Sequence, residues 1–245
     1  MTEDNINMPP TLPPPSPFAA DASAAGTGHI LNLLLKSPTM VAEVIAFERK
    51  GLLANAASLL ALGIACHAVF GFAVGLFAGW PVAWMDAVKA SLVGVCSLLL
   101  CFPSLYVFAC VAGSPLSIPQ AVVLGCSCHA MVGLLLVGLA PVAWLFAVST
   151  ASVPFLVILV LLLWLVAISF AARFVGKLRE QPLFQRQGGI RMWLWILILV
   201  TLQMTTCMRP MLAKPETGWW TAEKKFFLAH FSAAFKDQNR AEADR

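Results

Sequence analysis

The 245 residues include 16 Lys and Arg and 12 Asp and Glu, and these charges are unevenly placed. Residues 51–85, 90–172 and 192–208 contain no Asp, Glu, Lys or Arg, and these three uninterrupted runs together hold 135 residues. Water-soluble chains carry charge at about a quarter of their positions, disordered chains are polar, and disulfide scaffolds are short and rich in cysteine. The composition excludes all three classes for the bulk of the chain and predicts a multi-pass membrane protein.

The first 50 residues divide into two predicted segments. Residues 1–27 are acidic at the start and rich in proline, which predicts a disordered or polyproline-like tail. An SH3-type ligand is the alternative, but no basic residue flanks the prolines. Residues 28–50 place apolar side chains at helical spacing among charged ones, so we expect an amphipathic interfacial segment. A docking site for a soluble partner is the alternative for this segment.

The charge-free runs predict five membrane spans. A bilayer core of roughly 30 Å needs roughly 20 apolar residues in a helix, so the three runs fit one, three and one spans. Polar, proline-containing breaks near 113–120 and 149–154 divide the longest run. The spans are about 53–79, 90–113, 121–147, 153–175 and 192–211.

The spans must be helices, because lipid leaves no partner for open backbone hydrogen bonds. The predicted fold class is therefore an all-α integral membrane protein: a bundle of five transmembrane helices within residues 51–213, with flanking amphipathic interfacial helices. Residues 214–245 are predicted as the second amphipathic helix and a polar C-terminal tail. Tryptophans near span ends predict aromatic belts, at Trp80, Trp84, Trp193, Trp195, Trp219 and Trp220, whereas Trp164 is mid-span and predicted to pack.

Two features of the spans predict how the helices meet. Gly71, Gly75 and Gly79 recur every four residues in the first span, and small residues at this spacing allow close helix approach. Contact within the chain and contact with a second copy are both compatible with this stripe. Pro103 and Pro141 fall inside the second and third spans, where we expect kinks.

Few polar side chains lie inside the predicted spans. His67 and His129 are the only ionisable groups expected within the first four, as a structural hydrogen bond or a functional site. No Asp or Glu is expected to be buried beside them, which argues against an ion-coupled transporter. Gln203 makes the fifth span the most polar, and Arg209 ends it as a structural anchor or a headgroup contact.

Seven cysteines also fall within the spans, and Cys126 and Cys128 precede His129. Positions 126 and 128 point in different directions on a helix, so we expect buried apolar thiols rather than a metal site. No cofactor is predicted.

Orientation follows from the basic residues near span ends. With the N-terminus inside, eight Lys and Arg lie on the inner side and six on the outer side, and the loop 176–191 is the strongest signal. The basic C-terminal tail favours the reverse. We expect the N-terminus on the cytoplasmic side of the membrane.

Three segments carry a resemblance to known proteins: FPSLYVFACVAGSPLSIPQA (102–121), LAPVAWLFAVST (139–150) and QMTTCMRPML (203–212). Together they resemble an uncharacterised family of bacterial multi-pass proteins, similar in layout to the YIP-type (Rab-interacting) membrane proteins. The resemblance covers roughly residues 30–235. It implies a cytoplasmic N-terminal region, about five spans and short hairpin loops, and it implies no activity.

The sequence leaves two main functional hypotheses. The first is a non-catalytic membrane protein that organises the membrane or partner proteins through helix packing. The alternative is a subunit of a transporter or channel, lined by the kinked second and third spans and the polar fifth. An enzyme is not predicted, because phosphate loops, nucleophile elbows and carboxylate pairs are missing from the sequence. Expected partners are the lipid bilayer and other membrane proteins or a second copy, and no nucleic acid.

Overall fold

The computed structural model describes residues 52–113, 116–150, 152–177 and 188–207, and every regular element in this part of the chain is a helix. Helix α1 (Leu52–Gly75) ends in a single 3-10 turn, Leu76–Ala78. The other helices are α2 (Trp80–Val111), α3 (Ile118–Ser149), α4 (Val153–Lys177) and α5 (Gly188–Cys207). The predictions for residues 1–50, for Arg209 and for residues 214–245 lie outside the described residues.

Among the described residues, four helical segments are long and apolar enough to cross a membrane: Leu52–Ala78, Trp80–Val111, Ile118–Ser149 and Phe155–Lys177. This confirms the predicted all-helical class and its helices of membrane-spanning length. The described part of the fifth apolar segment is shorter, Met192–Met204. The count of five spans therefore stays a prediction.

The second helix begins ten residues earlier than the span predicted at 90–113. Gly79 takes a φ of 101°, which favours glycine and turns the chain. Pro81 then occupies the first turn of α2, where a proline costs no helical hydrogen bond. Asp86 and Lys89, expected in the connection because they are charged, are instead helical residues of α2.

Helix α3 is the centre of the bundle. Its first turn is fixed by a capping box, in which the backbone N–H of Ser117 donates to Gln120 Oε1 over 2.9 Å. Residues 123–130 are then buried on every side of the helix. Such a helix has neighbours all round, and α1 and α4 both pack against α3 while α2 packs against α1.

Helices α4 and α5 complete the bundle. Phe174 and Val175 of α4 and Trp193 and Leu194 of α5 join the larger apolar core. Trp193 is fully buried, so its predicted place in an aromatic belt is wrong: its indole N–H donates to the Cys101 carbonyl of α2 over 2.8 Å. Trp80, Trp84 and Trp195 are exposed, as residues of an aromatic belt would be. Trp164 packs against a second, smaller apolar core that includes Phe70, Leu136 and Ile168.

Candidate functional site in the first three helices

His67 of α1 and His129 of α3 form a stacked pair inside the bundle. The ring centroids are 4.5 Å apart and the ring planes differ by 6°. Both side chains are buried. The sequence predicted each histidine separately, and the structure brings the two together.

Three glycines surround the stacked rings, one from each of the first three helices. A Cβ atom at Gly94 of α2 would lie 2.6 Å from His129 Cε1, and one at Gly133 of α3 would lie 3.0 Å from His67 Nδ1. A Cβ at Gly63 of α1 would overlap the His129 ring. Each histidine therefore packs beside a glycine on the other's helix, and the rings fill the space that the glycines leave.

Hydrogen bonding assigns one proton of the pair. His67 Nδ1 lies 2.8 Å from the Gly63 carbonyl oxygen, which can only accept, so Nδ1 is the protonated nitrogen. His129 Nε2 is buried and has no hydrogen-bond partner among the described residues. Two charged rings at 4.5 Å would repel by about 4 kcal/mol at an effective dielectric constant of about 20. The arrangement therefore suits two neutral imidazoles.

Asp86 and Lys89 place a carboxylate and an amine inside the same three-helix unit. They lie three residues apart on α2 and so share a face of the helix, and they are only 2% and 3% exposed. Neither oxygen of the Asp86 carboxylate has a hydrogen-bond partner in the part of the chain that is described. The first three helices therefore bury a carboxylate that was not expected from the sequence, although it does not lie beside the histidines.

The predicted glycine stripe forms the wall beside Asp86. A Cβ at Gly71 would lie 2.5 Å from the Asp86 carbonyl oxygen, and one at Gly75 would lie 3.1 Å from Asp86 Oδ2. These two glycines bring α1 against α2 within the chain. Gly79 differs, because nothing lies within 4 Å of its Cβ position; its role is the turn before α2.

Five buried polar side chains of the first three helices are called the polar seam here: His67, Asp86, Lys89, Ser97 and His129. Ser97 of α2 is buried one turn beyond Gly94, and its hydroxyl has no hydrogen-bond partner among the described residues. Eight residues separate Asp86 from Gly94, so at 1.5 Å per residue the carboxylate lies about 12 Å along α2 from the histidine pair. Between them the Ser91 hydroxyl donates to the Ile64 carbonyl over 3.1 Å and ties α2 to α1.

Gln203 belongs to α5, outside the seam's three helices. Gly189 lies against Phe108, and Trp193 against Cys101, so α5 runs antiparallel to α2. The Cys101 carbonyl also accepts from the Ser104 hydroxyl over 2.7 Å, beside Pro103. This bond does not replace the one that Pro103 removes, because a proline at position 103 leaves the Leu99 carbonyl, four residues earlier, without its helical N–H donor.

The cysteines do not assemble a metal site in the described ranges, where no group of three or more His, Cys, Asp or Glu side chains is placed to hold a metal ion. Cys126 and Cys128 are buried free thiols within the central helix.

Comparison with protein families, with characterised proteins and with solved structures finds no match to this chain. The resemblance to YIP-type proteins stays a prediction.

Proposed function

We propose that this protein is a non-catalytic transport protein, or a transporter subunit, whose working site is the polar seam of α1, α2 and α3. The observation that supports this is Asp86, a buried carboxylate without a hydrogen-bond donor among the described residues, in a helix long enough to cross a membrane. Ionisable side chains at such positions are expensive and generally mark ion or substrate pathways. The proposed pathway differs from the one expected from sequence, because it uses α1 and does not depend on α5.

The fold also offers a place where the seam can change its environment. Pro103 interrupts the hydrogen bonding of α2 and separates the longer part of the helix, which carries Asp86, from its last turns, where Phe108 contacts Gly189 of α5. A kinked helix can bend at that point, and alternating access requires one part of a bundle to move against another. We propose Pro103 as the pivot of α2.

Flux measurements on the full chain in liposomes test this function. The liposomes would carry an internal pH dye, and a pH gradient or a sodium gradient would be imposed across the bilayer. We expect gradient-driven flux in the wild type and its loss in Asp86→Asn. Cys110→Ser is the matched control, since Cys110 is exposed near the far end of the same helix. Equal flux in Asp86→Asn and wild type would contradict the proposal.

A second candidate, a non-catalytic organiser of partner proteins, is favoured by the close packing at Gly71 and Gly75. A Cβ atom added at Gly71 or Gly75 would lie 2.5–3.1 Å from the nearest atoms of α2, so the two helices are in close contact. Such close packing suits a static scaffold. Native gel electrophoresis after mild detergent extraction distinguishes the two candidates. Loss of a larger complex in Gly71→Leu, with seam variants unaffected, would favour the organiser.

The proposed topology has five spans, with the N-terminus cytoplasmic in a bacterial inner membrane. Helix α5 supports the fifth span, because its 20 residues extend about 30 Å, the thickness of a bilayer core. The basic residues of the loop 176–191 support an inner position for that loop. The expected partners remain the bilayer and other membrane proteins or a second copy.

A further inference from the structure

We propose that Asp86 is a reversible proton-binding site inside the helix bundle, so that the ion coupled to transport is a proton and not a metal cation. The coupling to transport rests on the proposed function above. Proton binding at Asp86 is a separate property of the site and can be measured without transport.

The surroundings of Asp86 favour a carboxyl group that takes up a proton. The side chain is 2% exposed and both oxygens lack a hydrogen-bond partner among the described residues. A buried carboxylate without hydrogen-bond donors is costly and tends to become neutral, and the charged form of Lys89, three residues along α2, only partly offsets that cost. On the facing helix α1, the residues that lie against Asp86 are Gly71 and Gly75. Glycine has no side chain, so α1 offers Asp86 no hydrogen-bond donor side chain at these two positions.

A metal cation is a poor fit for the same position. Hard cations such as Ca²⁺ bind six to eight oxygen ligands, and Asp86 is the sole carboxylate in the described ranges. The amine of Lys89 is close enough to interact electrostatically with Asp86, so its charged form opposes the binding of any cation, and most strongly that of a cation with two charges. A proton needs only one carboxylate oxygen.

The binding step is balanced and needs no further reactant. A proton from water adds to one carboxylate oxygen and forms an O–H bond, which raises the net charge of the Asp86 and Lys89 pair by one. Release breaks that bond and returns the proton to water. Six residues separate Asp86 from Trp80, so the group lies about 9 Å along the helix from the turn between α1 and α2, the nearer end of the bundle.

Other titratable groups around α2 are few, so the site can be isolated by mutation. Helix α2 itself adds Lys89, Cys96, Cys101, Tyr106 and Cys110. Helix α1 adds Cys66 and His67, and α3 adds Cys126, Cys128 and His129. The charged residue of α5, Arg191, follows Gly189, which contacts Phe108 roughly 33 Å along α2 from Asp86.

Infrared difference spectroscopy on the full-length protein in lipid nanodiscs tests the site. We expect a component of the protonated-carboxyl band that appears as pH falls, shifts in heavy water and is lost in Asp86→Asn, while the other eleven Asp and Glu residues keep their own contribution. In Asp86→Glu the band should return at a shifted frequency, which shows that the carboxyl and not the fold is responsible. Size-exclusion profiles establish that each variant is folded. If Asp86→Asn does not fold, the comparison of wild type with Asp86→Glu decides.

The outcomes separate this inference from the proposed function. A titrating band assigned to Asp86 without any flux in liposomes supports the proton site and contradicts transport. Flux that follows a sodium gradient, with no carboxyl band that depends on Asp86, supports transport and overturns the proton site. An unchanged band in Asp86→Asn overturns the inference whatever the flux.

Discussion

The stacked histidines make a quantitative prediction for Gly94 of α2. Adding a methyl group in Gly94→Ala places Cβ 2.6 Å from His129 Cε1 and 3.4 Å from His67 Cδ2. Carbon atoms in ordinary contact are about 3.5–4.0 Å apart, so α2 or the His129 ring must move by about 1 Å. The ring is stacked on His67 and has little room to turn.

The expected destabilisation follows from two opposing terms. Overpacking a well-packed site costs about 1–3 kcal/mol, while replacing glycine by alanine inside a helix stabilises it by about 1 kcal/mol. The net loss in the free energy of unfolding should be about 0–2 kcal/mol. Gly138→Ala is the matched control, because Gly138 lies inside α3 and nothing is within 4 Å of its Cβ position. It should be neutral or stabilise by up to about 1 kcal/mol.

Unfolding of each variant by SDS in mixed detergent micelles measures the difference. We expect Gly94→Ala to unfold at lower SDS than wild type, and Gly138→Ala at equal or higher SDS. If the two variants unfolded together, the close contact between α2 and the histidine pair would be refuted.

Three further predictions concern the pair, the contact of α5 and the topology. A double-mutant cycle of His67→Ala and His129→Ala should give a coupling of about 0.5–1.5 kcal/mol in SDS unfolding, as for other stacked ring pairs; a coupling near zero contradicts the stack. Trp193→Phe should lower the free energy of unfolding by about 1 kcal/mol through loss of the bond to the Cys101 carbonyl, whereas the exposed Trp195→Phe should change it little. Reporter fusions at residues 183 and 240 should report opposite sides of the membrane if α5 crosses it, and the same side if it does not.

Charge placement alone predicted much of the fold. The charge-free runs mark the apolar helices, and the proline-containing breaks mark the end of α2, both ends of α3 and the start of α4 to within a few residues. The predicted start of α2 was wrong, because the prediction placed charged residues in connections between the helices. Gly79 and Pro81 were the better signals, since one allows the turn and the other suits the first turn of a helix.

The polar seam depends on contacts that no single segment specifies. Asp86 is buried because Gly71 and Gly75 bring α1 against it. From the sequence, these glycines were predicted inside the first span and Asp86 in the connection that follows it. The histidine pair joins residues 62 positions apart. A signal was present: Gly63 precedes His67 by four residues and Gly133 follows His129 by four, which puts a small residue one turn from each ring.

The most direct test of the account is the accessibility of position 86. In a cysteine-free background, Asp86→Cys should resist a membrane-impermeant maleimide in intact membranes and react only after SDS, because the side chain is enclosed between α1 and α2. Trp80→Cys, at the exposed start of the same helix, should react without SDS. Equal labelling of the two positions in intact membranes would contradict a buried ionisable seam.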